Sequence, residues 1–295
     1  MSDDFSCQVF GKAILAGEHA VLRNSAALVF PIRNFSTDFA FKKSDAKFCV
    51  KYEGERGNEV ELIFPRLLKH ALGILNLSTA PLSYGELSIK SNLPLGTGLG
   101  ASAALCVGLT LLLNNLGFVK NDDLHLFATQ LENLFHGESS GVDVAVALEG
   151  QPIKFKRSGE KTILRMGWEP QLYVSYSGQK GLTVDCVDQV KTLIGNNPER
   201  GKSIDLQMAE AVVLAENAVV ARNPQLSALS AAISMAAQCF YDWDLCPPAV
   251  DLHIKKLREF GALAAKPTGS GGGGYVISLW SDTPPEAIRA HLTKI

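Results

Sequence analysis

The fold is decided by the stretch SNLPLGTGLGASAA, residues 91–104. Residues 85–91 alternate between apolar and polar types like a strand, and residues 101–116 are apolar and rich in helix formers. The pattern therefore predicts a strand, a glycine-rich loop and the start of a helix. Because the first turn of a helix offers N–H groups and the positive end of the helix dipole, this loop is suited to bind a phosphate.

Other interpretations of this loop remain open. A tight turn without any ligand is the simplest one. A P-loop requires Gly-Lys-Ser/Thr at the helix start, where this chain has Gly100-Ala101-Ser102. A dinucleotide fingerprint fits residues 96–101 loosely, but it requires a second strand and an acidic residue about 20 positions on. Residues 121–125 lead into another helix instead, which disfavours the dinucleotide class.

Composition predicts an ordinary globular protein. The 295 residues allow one large or two moderate domains, and 46% of them are hydrophobic and 20% charged. The formal net charge of -2 gives no general attraction to nucleic acid or to an anionic membrane. The longest mostly apolar run, 103–113, is too short to span a bilayer, and residues 1–5 do not resemble a signal peptide. We therefore expect a cytoplasmic protein without a nucleic-acid or membrane partner.

The cysteines and histidines indicate no metal site. There are six of each, and neither type shows the short, regular spacing that is typical of zinc ligands. Scattered cysteines are typical of small core residues in a reducing compartment.

Three further segments carry residue types that suit phosphate chemistry. GKAILAGEHAVL, residues 11–22, holds one cation and an acid–imidazole pair among apolar residues. By itself it predicts a strand, a turn at Gly17 and a second strand, with Lys12 at the edge. HGESSGVD, residues 136–143, predicts a helix end followed by a turn that a capping Asp closes. KPTGSGGGG, residues 266–274, precedes a strand, which is the wrong order for a Rossmann motif.

Together these segments resemble the motifs of the GHMP kinases (galacto-, homoserine, mevalonate and phosphomevalonate kinases). PLGTGLGASAA is similar to P-x-x-x-G-L-G-S-S-A-A, GKAILAGEHAVL to G-K-x-I-L-x-G-E-H-A-V, and KPTGSGGGG to K-L-T-G-A-G-G-G-G. HGESSGVD resembles H-G-x-P-S-G-x-D of the mevalonate kinase branch. The departures are Phe10, Ala101, Ser139, Pro267 and Ser270. The resemblance extends from Gly11 to Leu279.

The resemblance implies an α/β fold of two lobes. The N-terminal lobe would be similar to ribosomal protein S5 domain 2, and the C-terminal lobe would be an α+β sandwich. A strand at 151–156 and a turn at 157–160 place the boundary between the lobes. We therefore expect an ATP-binding N-terminal domain at residues 1–158 and a C-terminal domain at residues 159–295, give or take about 10 residues.

The resemblance also implies the roles of individual residues. Asp143 would be the catalytic base, and Lys12, close to it, would keep its carboxylate ionised. Ser102 and Glu132 would bind Mg²⁺ through oxygen atoms. The residues implied to bind ATP are Pro94, Gly96, Gly98, Leu99, Gly100, Ala101, Ser102, Ala103, Gly269 and Gly271. The residues implied to contact the substrate are Glu18, His19, Ser140, Gly141 and Thr183.

The activity that the resemblance implies is ATP-dependent phosphorylation of the 5-hydroxyl of mevalonate, a step of isoprenoid biosynthesis. Gly181 and Leu182 depart from the Arg-Ser that this branch usually carries, and Lys180 offers a positive charge instead. Phosphomevalonate kinase is therefore an alternative. A non-catalytic GHMP-fold sensor of ATP and a metabolite is an alternative of a different class. The acceptor, a homodimer, feedback inhibition and nucleotide preference stay open.

Elsewhere the pattern predicts strands or hairpins over 37–63 and a helix over 65–75. Further helices are predicted over 124–135, 184–194, 203–221, 227–241, 247–260 and 284–292, and strands over 171–177 and 275–280.

Overall fold

The computed structural model describes residues 4–77, 84–137, 139–181 and 183–295. Its helices are α1 (Gly57–Ile74), α2 (Ala101–Asn115), α3 (Leu124–His136), α4 (Val142–Glu149), α5 (Thr183–Asn196), α6 (Pro198–Val220), α7 (Leu226–Asp242), α8 (Pro248–Glu259) and α9 (Glu286–Arg289). Its strands are β1 (Phe5–Ala16), β2 (Ala26–Lys47), β3 (Cys49–Glu53), β4 (Tyr84–Ser91), β5 (Ile153–Lys156), β6 (Lys161–Ile163), β7 (Gln171–Tyr176), β8 (Ala264–Pro267), β9 (Tyr275–Trp280) and β10 (Thr293–Lys294). Leu182 and the side chains of His136 and Thr183, which carried part of the substrate prediction, lie outside the described residues.

By their internal contacts the described residues form two compact units, and each unit is discontinuous in sequence. Unit 1 comprises Met1–Gly11, Arg33–Leu95 and Gly100–Gly150. Unit 2 comprises Lys12–Ile32, Gly96–Leu99 and Gln151–Ile295. The predicted boundary between residues 158 and 159 stays a prediction.

Unit 1 is built on a sheet that the last part of β2 forms with β4 and β3. β4 runs antiparallel to β2, and β3 runs parallel to β4. Phe39 and Phe41 on β2, and Leu87 and Ile89 on β4, alternate along their strands and are buried. They share one core with the apolar faces of α1, α2 and α3. Unit 1 is therefore a sheet with helices packed on its apolar face.

Helix α1 begins well before the predicted start, and this part of the prediction was wrong. It starts at Gly57 and contains Pro65, whereas the sequence suggested strands up to residue 63. Val60, Phe64 and Leu67 recur at helical spacing and are buried. Because Pro65 is on the exposed side, the burial of this face outweighs the hydrogen bond that proline cannot donate.

Unit 2 contains an antiparallel sheet with the strand order β10-β7-β9-β8. Its core includes Val250, Ile254 and Leu257 of α8 together with Val276 and Trp280 of β9. The first residues of β2 pair with β5, and β5 pairs with β6. The sequence did not predict β8, and it placed a longer helix where α9 covers four residues. Within the part of the chain that the structure describes, no helix is long and apolar enough to cross a membrane.

Candidate active site

Hydrogen bonds bring the first, second and third motif segments together within unit 2. The backbone N–H of Lys12 donates to the carbonyl of Leu99 over 2.8 Å. The N–H of Ile14 donates to Oγ1 of Thr268 over 2.8 Å. The ring Nε2 of His19 donates to the carbonyl of Ser270 over 2.9 Å. Segments separated by up to about 250 residues in the sequence are therefore neighbours.

Glycines allow the loop 96–99 and the turn 269–274 to pack backbone against backbone. A Cβ atom at Gly98 would lie 2.8 Å from the carbonyl oxygen of Thr268, and one at Gly274 would lie 2.2 Å from that of Thr97. Both glycines also have positive φ, at +83° and +86°. Side chains would separate these segments, so the glycine pattern serves their close approach.

A buried ion pair joins the first motif segment to the third. Lys266 Nζ donates to Glu18 Oε1, and both side chains are almost completely excluded from solvent. Burial raises the pKa of Glu18, while Lys266 and Lys12 oppose this rise. Burial lowers the pKa of Lys266, and the Glu18 carboxylate opposes that change. Lys12 is also buried, with 3% of its surface exposed. The sequence singled out Glu18 and placed Lys266 at the start of the third motif, but no local pattern indicated that the two side chains form a pair.

His19 is a neutral, constrained side chain. Its backbone has a φ of +57°, which is uncommon for a residue other than glycine. The ring contacts Trp243 edge to face, with 5.2 Å between ring centres. Burial, the largest influence, lowers the pKa of His19 to about 4. Because Nε2 donates to Ser270, Nδ1 is left as an acceptor, and it has no hydrogen-bond partner among the described residues.

In unit 1, helix α2 presents its N-terminus to the end of the glycine-rich loop. Its N-cap is Gly100, with a φ of +79°, and no side chain caps the helix. Ser102 is its second residue, and the first turn contains no acidic residue. The first-turn N–H groups and the Ser102 hydroxyl are therefore of the kind that binds a phosphate.

The predicted acidic residues lie on the two following helices of unit 1. Glu132, on α3, is 1% exposed. The pKa of Cys106, which lies one turn beyond Ser102 on α2, is raised mainly by the burial of the thiol and secondly by the negative charge of Glu132. Glu132 is therefore close enough to Cys106 for its charge to act on that thiol. Asp143 lies in the first turn of α4, where the helix dipole stabilises a carboxylate.

Ser139 stands where the mevalonate kinase branch has proline, and its contacts explain the exchange. Its N–H donates to Asn133 Oδ1 over 2.8 Å, a bond that proline cannot make. Its hydroxyl donates to the Glu132 carboxylate and accepts from the N–H of Gly141. The sequence gave no signal for these bonds, which fix the turn between α3 and α4.

The donor set fits a magnesium ion that also binds phosphates. Ser102 and Glu132 offer hard oxygen atoms, which Mg²⁺ prefers. Within the described ranges there is no group of three or more His, Cys, Asp or Glu side chains that could hold a metal by itself. Mg²⁺ commonly uses one or two protein ligands together with substrate phosphates.

Gly181, the departure on the substrate side, is packed against the third glycine-rich turn. A Cβ atom at Gly181 would lie 2.5 Å from the carbonyl carbon of Gly272. The N–H of Gly274 also donates to the carbonyl of Gln179 over 2.6 Å. An arginine at position 181 would require this backbone to move. Glycine here therefore follows from the packing of unit 2.

The two units divide the predicted site residues between them. Unit 2 carries Lys12, Glu18, His19, Gly96, Gly98, Leu99, Thr183, Gly269 and Gly271. Unit 1 carries Pro94, Gly100, Ala101, Ser102, Ala103, Glu132, Ser140, Gly141 and Asp143. The roles of these residues stay predictions.

Family models match both halves of the chain. The model for the GHMP kinases N terminal domain matches residues 66–151, and the model for the GHMP kinases C terminal matches residues 221–295. Together they match more than half of the chain.

Individual relatives extend this similarity over almost the whole length. The chain is 28% identical to a mevalonate kinase of Archaeoglobus fulgidus, covering 94% of this chain and 92% of the relative. Its fold is similar to that of L. major mevalonate kinase in complex with R-mevalonate, with a TM-score of 0.80, 21% identity and coverage of 96% and 90%. It is also similar to Streptococcus pneumoniae phosphomevalonate kinase in complex with phosphomevalonate and AMPPNP, with a TM-score of 0.72, 19% identity and coverage of 94% and 92%.

The predicted fold class is confirmed by these matches. Mixed helices and sheets, the motif segments in family order and the two family models agree. The chain therefore belongs to the GHMP kinase family.

Proposed function

We propose that the protein is a mevalonate kinase, which transfers the γ-phosphate of ATP to the 5-hydroxyl of mevalonate. The observation that carries this proposal is the packing of the three motif segments on one another in unit 2. Similarity to curated mevalonate kinases over nearly the full length supports this acceptor.

The reaction needs a base, charge neutralisation and alignment of the reacting groups. In our proposal Asp143 accepts the proton of the attacking hydroxyl. Lys12 stabilises the negative charge that develops on the attacking oxygen and thereby lowers the pKa of the hydroxyl. Ser102 and Glu132 hold Mg²⁺, which neutralises charge on the phosphates when it is bound.

The nucleotide binds to backbone groups in the proposal. Residues 94–103 hold the phosphates through the loop and the N-terminus of α2, and Gly269 and Gly271 contact them from the third turn. Glu18, His19, Ser140, Gly141 and Thr183 contact the acceptor. We place the reaction in the cytoplasm.

The test follows ADP release by the purified protein with Mg-ATP. Mevalonate, 5-phosphomevalonate, homoserine and galactose are offered separately. We expect turnover with mevalonate and none above background with the other acceptors.

Two other results would contradict the proposal in different ways. Turnover with 5-phosphomevalonate alone would make the protein a phosphomevalonate kinase and would point to Lys180, an exposed cation beside Gly181. ATP binding without turnover of any acceptor would instead support a sensor.

A further inference from the structure

Lys266 is completely buried, yet the proposed reaction does not use it. Its ammonium donates to Glu18 and, over 3.1 Å, to the carbonyl of Ile14, and it lies 5.2 Å from the ring centre of Phe240. Burying two charges costs so much solvation that apolar residues of similar volume often stabilise a fold equally well. General stability is therefore a weak reason for this ion pair.

The location of Lys266 offers a better reason for the buried ion pair than general stability does. It lies on β8, immediately before the third glycine-rich turn at residues 269–274. Thr268 and Ser270 of the same stretch are bonded to Ile14 and His19 of the first motif. Three residues at alternate positions, 266, 268 and 270, are therefore anchor points that join one end of the turn to residues 14–19.

The turn depends on its neighbours to hold its shape, because its own side chains are few. Its residues are mostly glycine, and Gly269 and Gly271 both have a φ of +87°. Glycine has the largest conformational freedom to lose when a backbone is ordered. If the turn is fixed before the nucleotide arrives, binding does not have to supply that cost. The anchor points at its start are suited to this task.

We propose that Lys266 is a positioning residue for the nucleotide-binding turn, because its ammonium ties the start of the turn to Glu18 and Ile14. The inference rests on the proposed role of Gly269 and Gly271 in binding ATP. Glu18 thereby acts in part through Lys266, with one carboxylate oxygen committed to the ammonium.

The test compares three variants in the full chain. Lys266→Met removes the ammonium at similar length, and Lys266→Met with Glu18→Gln removes both charges. Lys154→Met is the matched control, since Lys154 pairs with Glu216 over 2.7 Å in the same unit but is partly exposed. The measurements are the Kd of a non-hydrolysable ATP analogue by titration calorimetry, the Tm, and KM and kcat for ATP.

We expect both Lys266 variants to weaken binding of the analogue on the order of 10- to 100-fold, the scale of small misplacements at a site. The KM for ATP should rise by a similar factor. The double variant should regain most of the Tm that the single variant loses, because it leaves no unpaired buried charge. The control should bind the analogue like the wild type.

The pH dependence of the Tm identifies the unpaired carboxylate. Among the residues that the structure describes, the charged and titratable groups that face Glu18 are Lys266, Lys12 and Cys239. Burial already holds the folded-state pKa of Glu18 above its unfolded value of about 4.3, and loss of Lys266 removes the largest influence that opposes this rise. The folded state then binds a proton that the unfolded state has lost, so stability falls as the pH rises from about 5 towards the raised pKa. Lys266→Met should show this loss, and the double variant should not.

A double variant that regains the Tm and also binds the analogue like the wild type would show that Lys266 is merely structural, and would overturn the proposal. If the single variant does not fold, the Kd that the double variant shows for the analogue still tests the proposal. A wild-type protein that binds the analogue but phosphorylates no acceptor would contradict the proposed function. The comparison of Kd values would still test Lys266.

Discussion

At the residue scale, the groups proposed for catalysis differ in their exposure. Lys12 and Glu132 are buried, at 3% and 1% exposure, whereas Asp143 is half-buried at the start of α4. A base must reach the hydroxyl proton that it accepts, and partial exposure is compatible with that role. A buried lysine, in contrast, exerts a strong field because little water screens it.

We expect Asp143→Asn and Lys12→Met each to lower kcat by at least about 100-fold, the usual scale for a positioned base. The amide cannot accept the proton, and the thioether cannot stabilise the negative charge. Steady-state assays with Mg-ATP and mevalonate measure this loss, and calorimetry with an ATP analogue shows whether nucleotide binding is retained.

Exposed residues supply the controls for this pair. Asp122→Asn changes an exposed carboxylate of unit 1, and Lys154→Met removes a partly exposed ammonium of unit 2. Both should keep kcat near the wild-type value. Wild-type turnover in Asp143→Asn would eliminate Asp143 as the base.

The sequence alone identified a role for residues whose function follows from a local motif. Ser102 and Asp143 were singled out by their motifs, and the structure places both in the first turn of a helix. The sequence placed Lys266 at the start of the third motif but assigned it no role, because this side chain pairs with Glu18 across 248 positions. It noted Ser139 only as a departure from the motif, because a hydroxyl bonded to Glu132 leaves no periodic signal.

At the element scale, one glycine of α2 allows this helix to pack directly on the Phe39 ring of β2. A Cβ atom at Gly108 would lie 2.1 Å from the ring of Phe39, which is itself 1% exposed. The ring has little room to move away, since protein cores are close-packed. The small residue therefore sets the distance between this helix and the sheet.

We expect Gly108→Ala to lower the free energy of unfolding by about 1–3 kcal/mol, the usual cost of overpacking. Gly73→Ala should instead raise it by about 0.5–1 kcal/mol, because Gly73 lies in α1 with open space around it. Urea unfolding of both variants measures the two changes. A stabilising Gly108→Ala would contradict the close contact with Phe39.

Most elements were predictable because their periodic patterns are long and bounded by turn signals. The predicted helices at 101–116 and 124–135 and the strand at 275–280 agree with α2, α3 and β9 within one residue. The start of α1 was missed because proline usually opens a helix, and here a tertiary core overrides it. β8 was missed because its four residues are too short to show alternation.

At the scale of the whole molecule, unit 2 depends on residues from distant parts of the chain. Residues 12–32 belong to it, although the remainder of the chain returns to this unit only at residue 96 and then at residue 151. Cutting at the predicted domain boundary would remove Glu18 from Lys266, Ile14 from Thr268, and β5 from β6.

We therefore expect a fragment of residues 159–295 to show no cooperative thermal unfolding. Its buried lysine would have no counter-ion, and an uncompensated buried charge is strongly destabilising. The matched fragment joins residues 12–32 to residues 151–295 through a flexible Gly/Ser linker, and it should unfold cooperatively. Circular dichroism during heating measures both. Equal cooperative transitions in the two fragments would show that residues 12–32 are dispensable for unit 2.

The large sequence distance between Glu18 and Lys266 also has a consequence for folding during synthesis on the ribosome. At roughly 5–20 residues per second, the 248 positions between them take on the order of 12–50 s to synthesise. During that time the segment around Ala13, Leu15 and Ala16, which is buried in the finished protein, lacks the neighbours that β8 and Thr268 supply. A nascent chain of this kind exposes apolar surface early and completes its unit last, which makes it a natural client for chaperones.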